Sequence, residues 1–410
     1  MIVFIADLKT GMELERDVKG ASGRLLLPAG TVLSEQHLRV FNIWGVSEVE
    51  VKDTGLELNT DEDESVDPAL LKLASEHADK LFTYAEMSIE PVTVLKQLSV
   101  RRFEDILTTG GELADLPLVS DIPCEFPESP AYDSAESFLS SGVKLSSFPD
   151  IYYKIMDALD NPSSSSNTLA DIISKDSGLC AKLLTLVNSP LYGFSLPVES
   201  LTRAVSLVGT RGLSQLALGV TVMDSFKTLD GKSLSMADFW QHSLACGVFC
   251  RILSSQVPGT SQDNCFVSGM LHDLGRLVML QLAPDETNLT FEISKAQGVS
   301  LSLAEKSVFG FDHCDLARSL FDIWNFPPGL TEAVVGHHGA READLPVESA
   351  ICSIGDALAV ALQYGCNGSG FVYSPYPGAW DMLGIPDGAI ATTILKARRQ
   401  IDDILTVFGG

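Results

Sequence analysis

Apolar residues recur three and four positions apart through most of this chain, and from about residue 132 onward they do so almost without a break. That spacing places them on one face of a helix. Residues 134–142 and 144–160 predict a first pair of helices, the second opening at Pro149, and 161–167 (NPSSSSN) reads as a loop. Residues 168–194 predict two short helices meeting at the turn Lys175–Gly178, and 198–226 predict two more. Short helices joined by loops of a few residues describe a compact helical bundle. The most continuous run is Asp263–Leu282, with Phe266, Met270, Leu274 and Val278 in register beside Leu271 and Leu277. It predicts one buried helix with His272 and Asp273 side by side in its middle.

The first 57 residues carry a different pattern. VFIADL alternates as a strand does, the short apolar runs of 8–33 are punctuated by Gly and Pro as hairpins require, and VSEVEVKD alternates again. Between them 34–46 predicts a short helix capped by Ser34, while Asp17 and Arg24 read as solvated strand residues. Residues 59–67 are acidic and aperiodic, which describes a linker. Two helical patterns follow at 68–87, containing His77, and 90–110, containing Arg101 and Arg102; the Pro-, Asp- and Glu-rich stretch 111–130 reads as a second linker. The expected organisation is a small β-rich domain (1–57), an acidic linker and helical connector (58–131) and a helical domain (132–410), mainly α overall.

Composition narrows the function. A chain of 410 residues with 45% hydrophobic and 20% charged residues is long enough for two or three globular domains. It has no unbroken apolar run of membrane-spanning length, and its opening residues turn acidic too soon for a secretory signal, so a soluble cytoplasmic protein is expected. The net charge of −26 repels nucleic acid and anionic lipid. Eight Cys without a C-x-x-C pair argue against disulfides. Cys246 and Cys250 share a helix face with His242, as core thiols or as soft metal ligands.

The candidate chemistry lies in the second half. An adjacent His and carboxylate inside an apolar helix each need a partner, because an unpaired buried polar group costs a few kcal/mol. Hydrogen bonds to neighbouring helices would serve, and so would a shared divalent metal. His242, His313, His337 and His338, with Asp356 between apolar residues, come from separate helical patterns that a bundle could bring together. Imidazole plus carboxylate is a ligand set for zinc, iron, manganese or nickel, which the residues do not distinguish. The stretch Asn188–Phe194 (NSPLYGF) is either a binding loop or a helix-breaking connection with Tyr192 and Phe194 packed beside it.

The chain resembles the HDOD family, the signalling branch of the HD superfamily, over roughly residues 136–345. The resemblance is carried by Phe148-Pro149, Asp176-Ser177-Gly178-Leu179, Asn188-Ser189-Pro190-Leu191-Tyr192-Gly193 and Ala204-Val205-Ser206-Leu207-Val208-Gly209. Through Gly11-Met12, Asp17-Val18, Leu25-Leu26 and Pro28-Ala29-Gly30, the N-terminal unit resembles the β-rich domain preceding HD-GYP phosphodiesterases. The resemblance implies an HD-type helical bundle and a role in bacterial signal transduction. It also implies one metal held by His242, His272, Asp273 and Asp356, and a second held by His313, His337 and His338 with Asp273 bridging. Two departures count against catalysis. The Gly-Tyr-Pro signature after the paired histidines is missing, and Arg276 stands where a Lys is usual, as a phosphate contact or a surface residue.

Two functions remain open on these grounds. One is a regulatory module for a signalling partner or small phosphorylated ligand, the other a metal-dependent phosphohydrolase acting on a cyclic dinucleotide or another phosphoester. Arg203 and Arg211 bear on a pocket that the sequence does not locate, and Tyr373, Tyr376 and Trp380 line the site mouth or pack on the bundle. The amphipathic run 387–407 packs on the bundle or pairs two subunits as a homodimer.

Overall fold

The computed structural model of the protein describes residues 2–4, 8, 10–19, 25–34, 37, 41, 48–52, 67–114, 116, 125–140, 149–161, 165–226, 234–339, 345–385 and 389–408. Arg24, Phe148, most of the helix expected at 34–46, the linker residues 59–66 and 117–124, and the segment 340–344 after the paired histidines lie outside the described residues. The chain forms two compact units, Met1–Asp67 and Pro68–Gly410.

In the first unit β1 (Ile2–Phe4) pairs antiparallel with β4 (Glu48–Glu50), and β2 (Val18–Lys19) with β3 (Leu25–Leu27). Isolated bridges join Glu13 to Val32 and Leu14 to Val51. Leu8, Leu14, Val18, Leu33, Phe41, Val49 and Val51 make a separate small core. Asp17 is more than a solvated strand residue, since its Oδ1 accepts from the Ala29 amide at 2.8 Å and so ties down the Pro28-Ala29-Gly30 turn.

The second unit is helical throughout. It opens with α1 (Pro68–Leu81) and α2 (Glu90–Thr108), the two helices foreseen in the connector, followed by α3 (Ala135–Ser140) and α4 (Asp150–Asp160). Then come α5 (Ser166–Ile173), α6 (Ser177–Val187), α7 (Leu201–Val208), α8 (Thr210–Ser225) and α9 (Met236–Ser254). The rest are α10 (Gln262–Leu271), α11 (Leu274–Leu282), α12 (Pro284–Gln297), α13 (Leu301–Phe309), α14 (His313–Ile323), α15 (Pro328–Val335), α16 (Val347–Ala361), α17 (Ala379–Leu383) and α18 (Ala389–Phe408).

Local chemistry starts these helices where it does. Ser165, Asp176, Ser200, Ser235, Ser261 and Ser300 each accept an amide of the first turn, and Asp312 forms a reciprocal capping box with Asp315. The helices α8, α9 and α10 are buried nearly all round, as central helices of a bundle are. α9 and α10 approach at two glycines: a Cβ on Gly269 would lie 2.8 Å from the Gly247 Cα. The apolar face of α18 (Ile390, Ala397, Ile401, Ile404) is buried in the same core. Among the described residues no single helix is long and apolar enough to cross a membrane.

The NSPLYGF stretch is clamped at both ends. The Asn188 Nδ2 donates to the Leu184 and Val198 carbonyls at 2.8 and 2.9 Å, and its Oδ1 accepts from the Val198 amide at 2.7 Å. Tyr192 donates to Asp263 Oδ1 at 2.8 Å beneath the Arg251 guanidinium, which pairs with the same carboxylate at 2.5 Å. Asn188→Ala removes the whole first set. It is expected to cost about 2–3 kcal/mol of stability in urea denaturation. A loss below about 0.5 kcal/mol, the level of an ordinary surface substitution, would show that the loop does not depend on this clamp.

Candidate metal centre

The predicted continuous helix 263–282 is broken at the residues that make it interesting. α10 ends at Leu271, and His272 and Asp273 occupy the corner before α11. In an unbroken helix neighbouring side chains diverge by about 100°. At the corner they converge, and His272 Nε2 lies 3.1 Å from Asp273 Oδ2. The start of α14 packs directly on this corner because residue 275 is glycine: a Cβ there would stand 2.0 Å from the His313 carbonyl oxygen.

Around the corner, separate elements deliver the other expected residues. α9 brings His242, with Nε2 at 3.4 Å from His272 Nε2, 3.1 Å from Asp356 Oδ1 and 4.0 Å from Asp273 Oδ2. Asp356 comes from α16, and its Oδ1 is 3.5 Å from His272 Nε2. Donors sharing an ion at about 2.0–2.2 Å stand about 3.0–3.5 Å apart when adjacent. A second group adjoins the first. His313 Nε2 lies 3.3 Å from Asp273 Oδ1 and 3.4 Å from His337 Nε2, and His338 completes it, with all ligand atoms of that group within 4.8 Å of one another. Asp273 thus turns one oxygen to each group.

The imidazoles are aimed from outside. His272 Nδ1 faces the Gly269 carbonyl at 2.8 Å, His337 Nδ1 the Val334 carbonyl at 2.6 Å, and His313 Nδ1 the Glu305 carboxylate at 2.5 Å. Carbonyl and carboxylate oxygens accept, so Nδ1 carries a proton in each ring and Nε2 is the nitrogen turned inward, where its lone pair becomes available once Nε2 is deprotonated, the orientation found around bound metals. His242 is different, its Nδ1 being buried with no such partner.

Charge states the problem the centre must solve. Burial raises the carboxyl pKa of Asp273, but Arg276, His272 and His313 hold it well below its usual range. The same balance of burial against His242 and His272 holds Asp356 far down, and His313 and Arg276 keep Glu305 low. Three carboxylates therefore face one guanidinium, leaving two buried negative charges uncompensated while the rings are neutral. Asp273 Oδ1 is moreover buried without a hydrogen-bond donor. Either protons or a cation must fill the gap. For His272, burial lowers the pKa, but Asp273 and Asp356 outweigh it and hold the ring well above its ordinary value. His337 stays far below, from burial and from the neighbouring imidazoles. A divalent cation fits this donor set.

Arg276 corrects one expectation. It is not a surface residue. It is 1% exposed, and its donors go to Asp273 Oδ2 at 2.7 Å, Glu305 Oε1 at 2.8 Å and the Asn367 carbonyl at 3.3 Å. Sequence reasoning missed Glu305, Asn367 and Cys314. Glu305 stood as a lone carboxylate in the apolar run LSLAEKSVFG, a readable signal. Asn367 sits in an aperiodic loop and offered none. Cys314 lies 3.6 Å from the outward Nδ1 of His337. The Cys246 and Cys250 thiols point to the Cys352 and Ile351 carbonyls, as core thiols do. The seven described cysteines are free.

The centre opens on one side, where the Asp356 side chain is 17% exposed and His338 is exposed. Tyr376 packs on Gly339 there, whereas Tyr373 turns away to donate to the Val299 carbonyl at 2.7 Å. Arg211 lines a cavity of about 650 Å³ with Gln215, Asn264 and Glu348, and none of the clustered histidines borders it.

Residues 145–340 match the profile of the HDOD domain. The chain carries an HDOD domain. Of the site, Asp356 and Asn367 lie beyond the matched HDOD stretch. Solved structures share the fold: an HDOD protein of unknown function from Geobacter sulfurreducens (23% identity, TM-score 0.54, covering 66% of this chain and 96% of that one) is one. A nominal phosphohydrolase from Shewanella amazonensis is another (21% identity, TM-score 0.53, 66% and 97% covered). A nominal signal transduction protein from Marinobacter aquaeolei is a third (20% identity, TM-score 0.53, 76% and 72% covered). An uncharacterized protein of Treponema pallidum is 24% identical over 196 residues, 48% of this chain and 38% of its own length.

The raised pKa of His272 sets a pH dependence. Its proton stabilises the metal-free protein below the ordinary imidazole pKa, and that contribution is lost as pH rises through the elevated folded value. A metal must displace this proton. Zn²⁺ or Mn²⁺ uptake near neutral pH is therefore expected to release protons and to tighten as pH rises, read by calorimetry in buffers of differing ionisation enthalpy. Uptake without proton release would contradict this.

Proposed function

We propose that this HDOD protein is a bacterial signal-transduction module with a divalent metal centre, held by His242, His272, Asp273 and Asp356, with a second position at His313, His337 and His338 bridged by Asp273. The single observation that carries the reading is Asp273, a buried carboxylate with one oxygen toward each histidine group and no donor for Oδ1. A bound divalent ion supplies Lewis acidity to water or to a phosphate oxygen. The chain's own residues aim the lone pairs, through Gly269, Val334 and Glu305, and balance charge through Arg276.

Regulation rather than hydrolysis is favoured by the state of Arg276, since a buried guanidinium committed to Asp273, Glu305 and the Asn367 carbonyl serves the centre's own carboxylates rather than an open phosphate pocket. In this reading the bundle binds a signalling partner or a small phosphorylated ligand in the cytoplasm and passes on a change of conformation. A metal-dependent phosphohydrolase is the second reading, favoured by the exposure of His338 and Asp356, which leaves the donor set open to a ligand.

Bis(4-nitrophenyl) phosphate separates the two. Protein incubated with Mn²⁺, Fe²⁺ or Zn²⁺ is expected to cleave it no faster than a His272→Ala, Asp273→Ala double variant. Turnover present in the wild type and absent in the variant would overturn the regulatory reading in favour of the hydrolase.

A further inference from the structure

Asn367 is buried, and its side-chain amide reaches both aspartates of the proposed first position. Its Nδ2 lies 3.0 Å from Asp273 Oδ2 and 3.5 Å from Asp356 Oδ1, the oxygens that also face His272 and His242. The orientation of the amide is fixed, because Oδ1 accepts from the Ser369 amide at 3.0 Å and Nδ2 must then point inward. The Asn367 carbonyl in turn accepts from Arg276. Two carboxylate oxygens meeting in a low-dielectric interior repel one another. An NH₂ group between them holds both in place and leaves each a lone pair for an ion.

The loop carrying Asn367 is gripped from two sides. On one, the Cys366 amide donates to the Asp238 carbonyl at 3.0 Å, and Gly365, at φ +66°, lies so close to α9 that a Cβ would stand 2.7 Å from the His242 amide nitrogen. On the other, the loop is tied to the α1–α2 pair. Arg102 donates to the Leu362 carbonyl at 2.7 Å and to the Tyr364 hydroxyl at 3.0 Å, with its guanidinium 4.0 Å from the Tyr364 ring centroid. His77 meets Gln363 at 3.0 Å, the Val372 amide donates to the Leu81 carbonyl at 2.9 Å, and the Glu86 amide to Ser374 Oγ at 2.7 Å.

We propose that Asn367 is a positioning residue of the metal centre, set in place by the α1–α2 helix pair through the loop 362–374, so that contacts remote from the centre tune its affinity. The inference rests on the metal-centre reading above. Outer donors that orient a ligating carboxylate typically change metal affinity by about 10–100-fold. Coupling through a packed loop is smaller, about 2–30-fold.

The test is Mn²⁺ titration of chelator-stripped full-length protein by calorimetry, with thermal melting alongside. Asn367→Ala is expected to weaken Mn²⁺ binding about 10–100-fold at unchanged stoichiometry. Asn367→Asp places a third carboxylate against the other two. Its metal-free form is expected to melt lower than wild type, and Mn²⁺ to raise its melting temperature by more. Arg102→Ala, which touches no carboxylate of the centre, is expected to weaken binding at least about twofold. Wild-type affinity in Asn367→Ala overturns the proposal, and should that variant not fold, wild-type affinity in Arg102→Ala overturns it instead. A wild-type protein that takes up no Mn²⁺, Zn²⁺ or Fe²⁺ overturns the metal-centre reading and this inference with it.

Discussion

Burying carboxylates beside one another inside a helical bundle is costly, and much of this protein's second unit is arranged around meeting that cost. Asp273 shares Arg276 with Glu305 and shares His272 and Asn367 with Asp356, and among the described residues Arg276 is the one guanidinium in contact with these carboxylates. Electrostatics of this kind cannot be relieved by packing, because a charge without a counter-charge in a low-dielectric interior costs several kcal/mol whatever surrounds it. The break at His272-Asp273, the glycine at 275 and the outward anchoring of three imidazoles all bring lone pairs to the same region. A divalent ion relieves the charge and uses the lone pairs at once.

The architecture was legible in the sequence where physics leaves a periodic trace. The helical pattern after residue 132 follows from apolar spacing and from Ser or Asp caps, and the two helices of 68–108 follow from apolar spacing. The site was legible as a set of residue types: His242, His272, Asp273, Asp356, His313, His337 and His338 come together as the resemblance implied. The helix break was not, because Asp263–Leu282 keeps its apolar register straight through the corner; only tertiary packing of α14 on Gly275 reveals why the chain turns there. Arg276 misled for a related reason. A charged residue in an apolar run reads as exposed or ligand-facing, and nothing local signals that Glu305, far along the chain, will receive it.

The same logic separates what the HDOD stretch provides from what the rest of the chain adds. The matched residues 145–340 bring most of the histidines, the corner and Arg276. Asp356 and the Asn367 amide come from α16 and the loop after it, and that loop is fastened by Arg102, His77 and the end of α1. A helix pair that reads as a mere connector in sequence therefore reaches the carboxylates through one short loop and its Asn367. In the regulatory reading proposed above, this is a physical route by which events at the α1–α2 pair bear on the centre.

The most direct test of the account is the metal content of the purified protein, measured by elemental mass spectrometry on the wild type and on the His272→Ala, Asp273→Ala double variant. The account predicts one or two equivalents of iron, zinc, manganese or nickel in the wild type, lost in the variant. Wild-type protein that is folded, metal-free and takes up none on incubation would contradict it, and would leave the buried carboxylates compensated by protons alone.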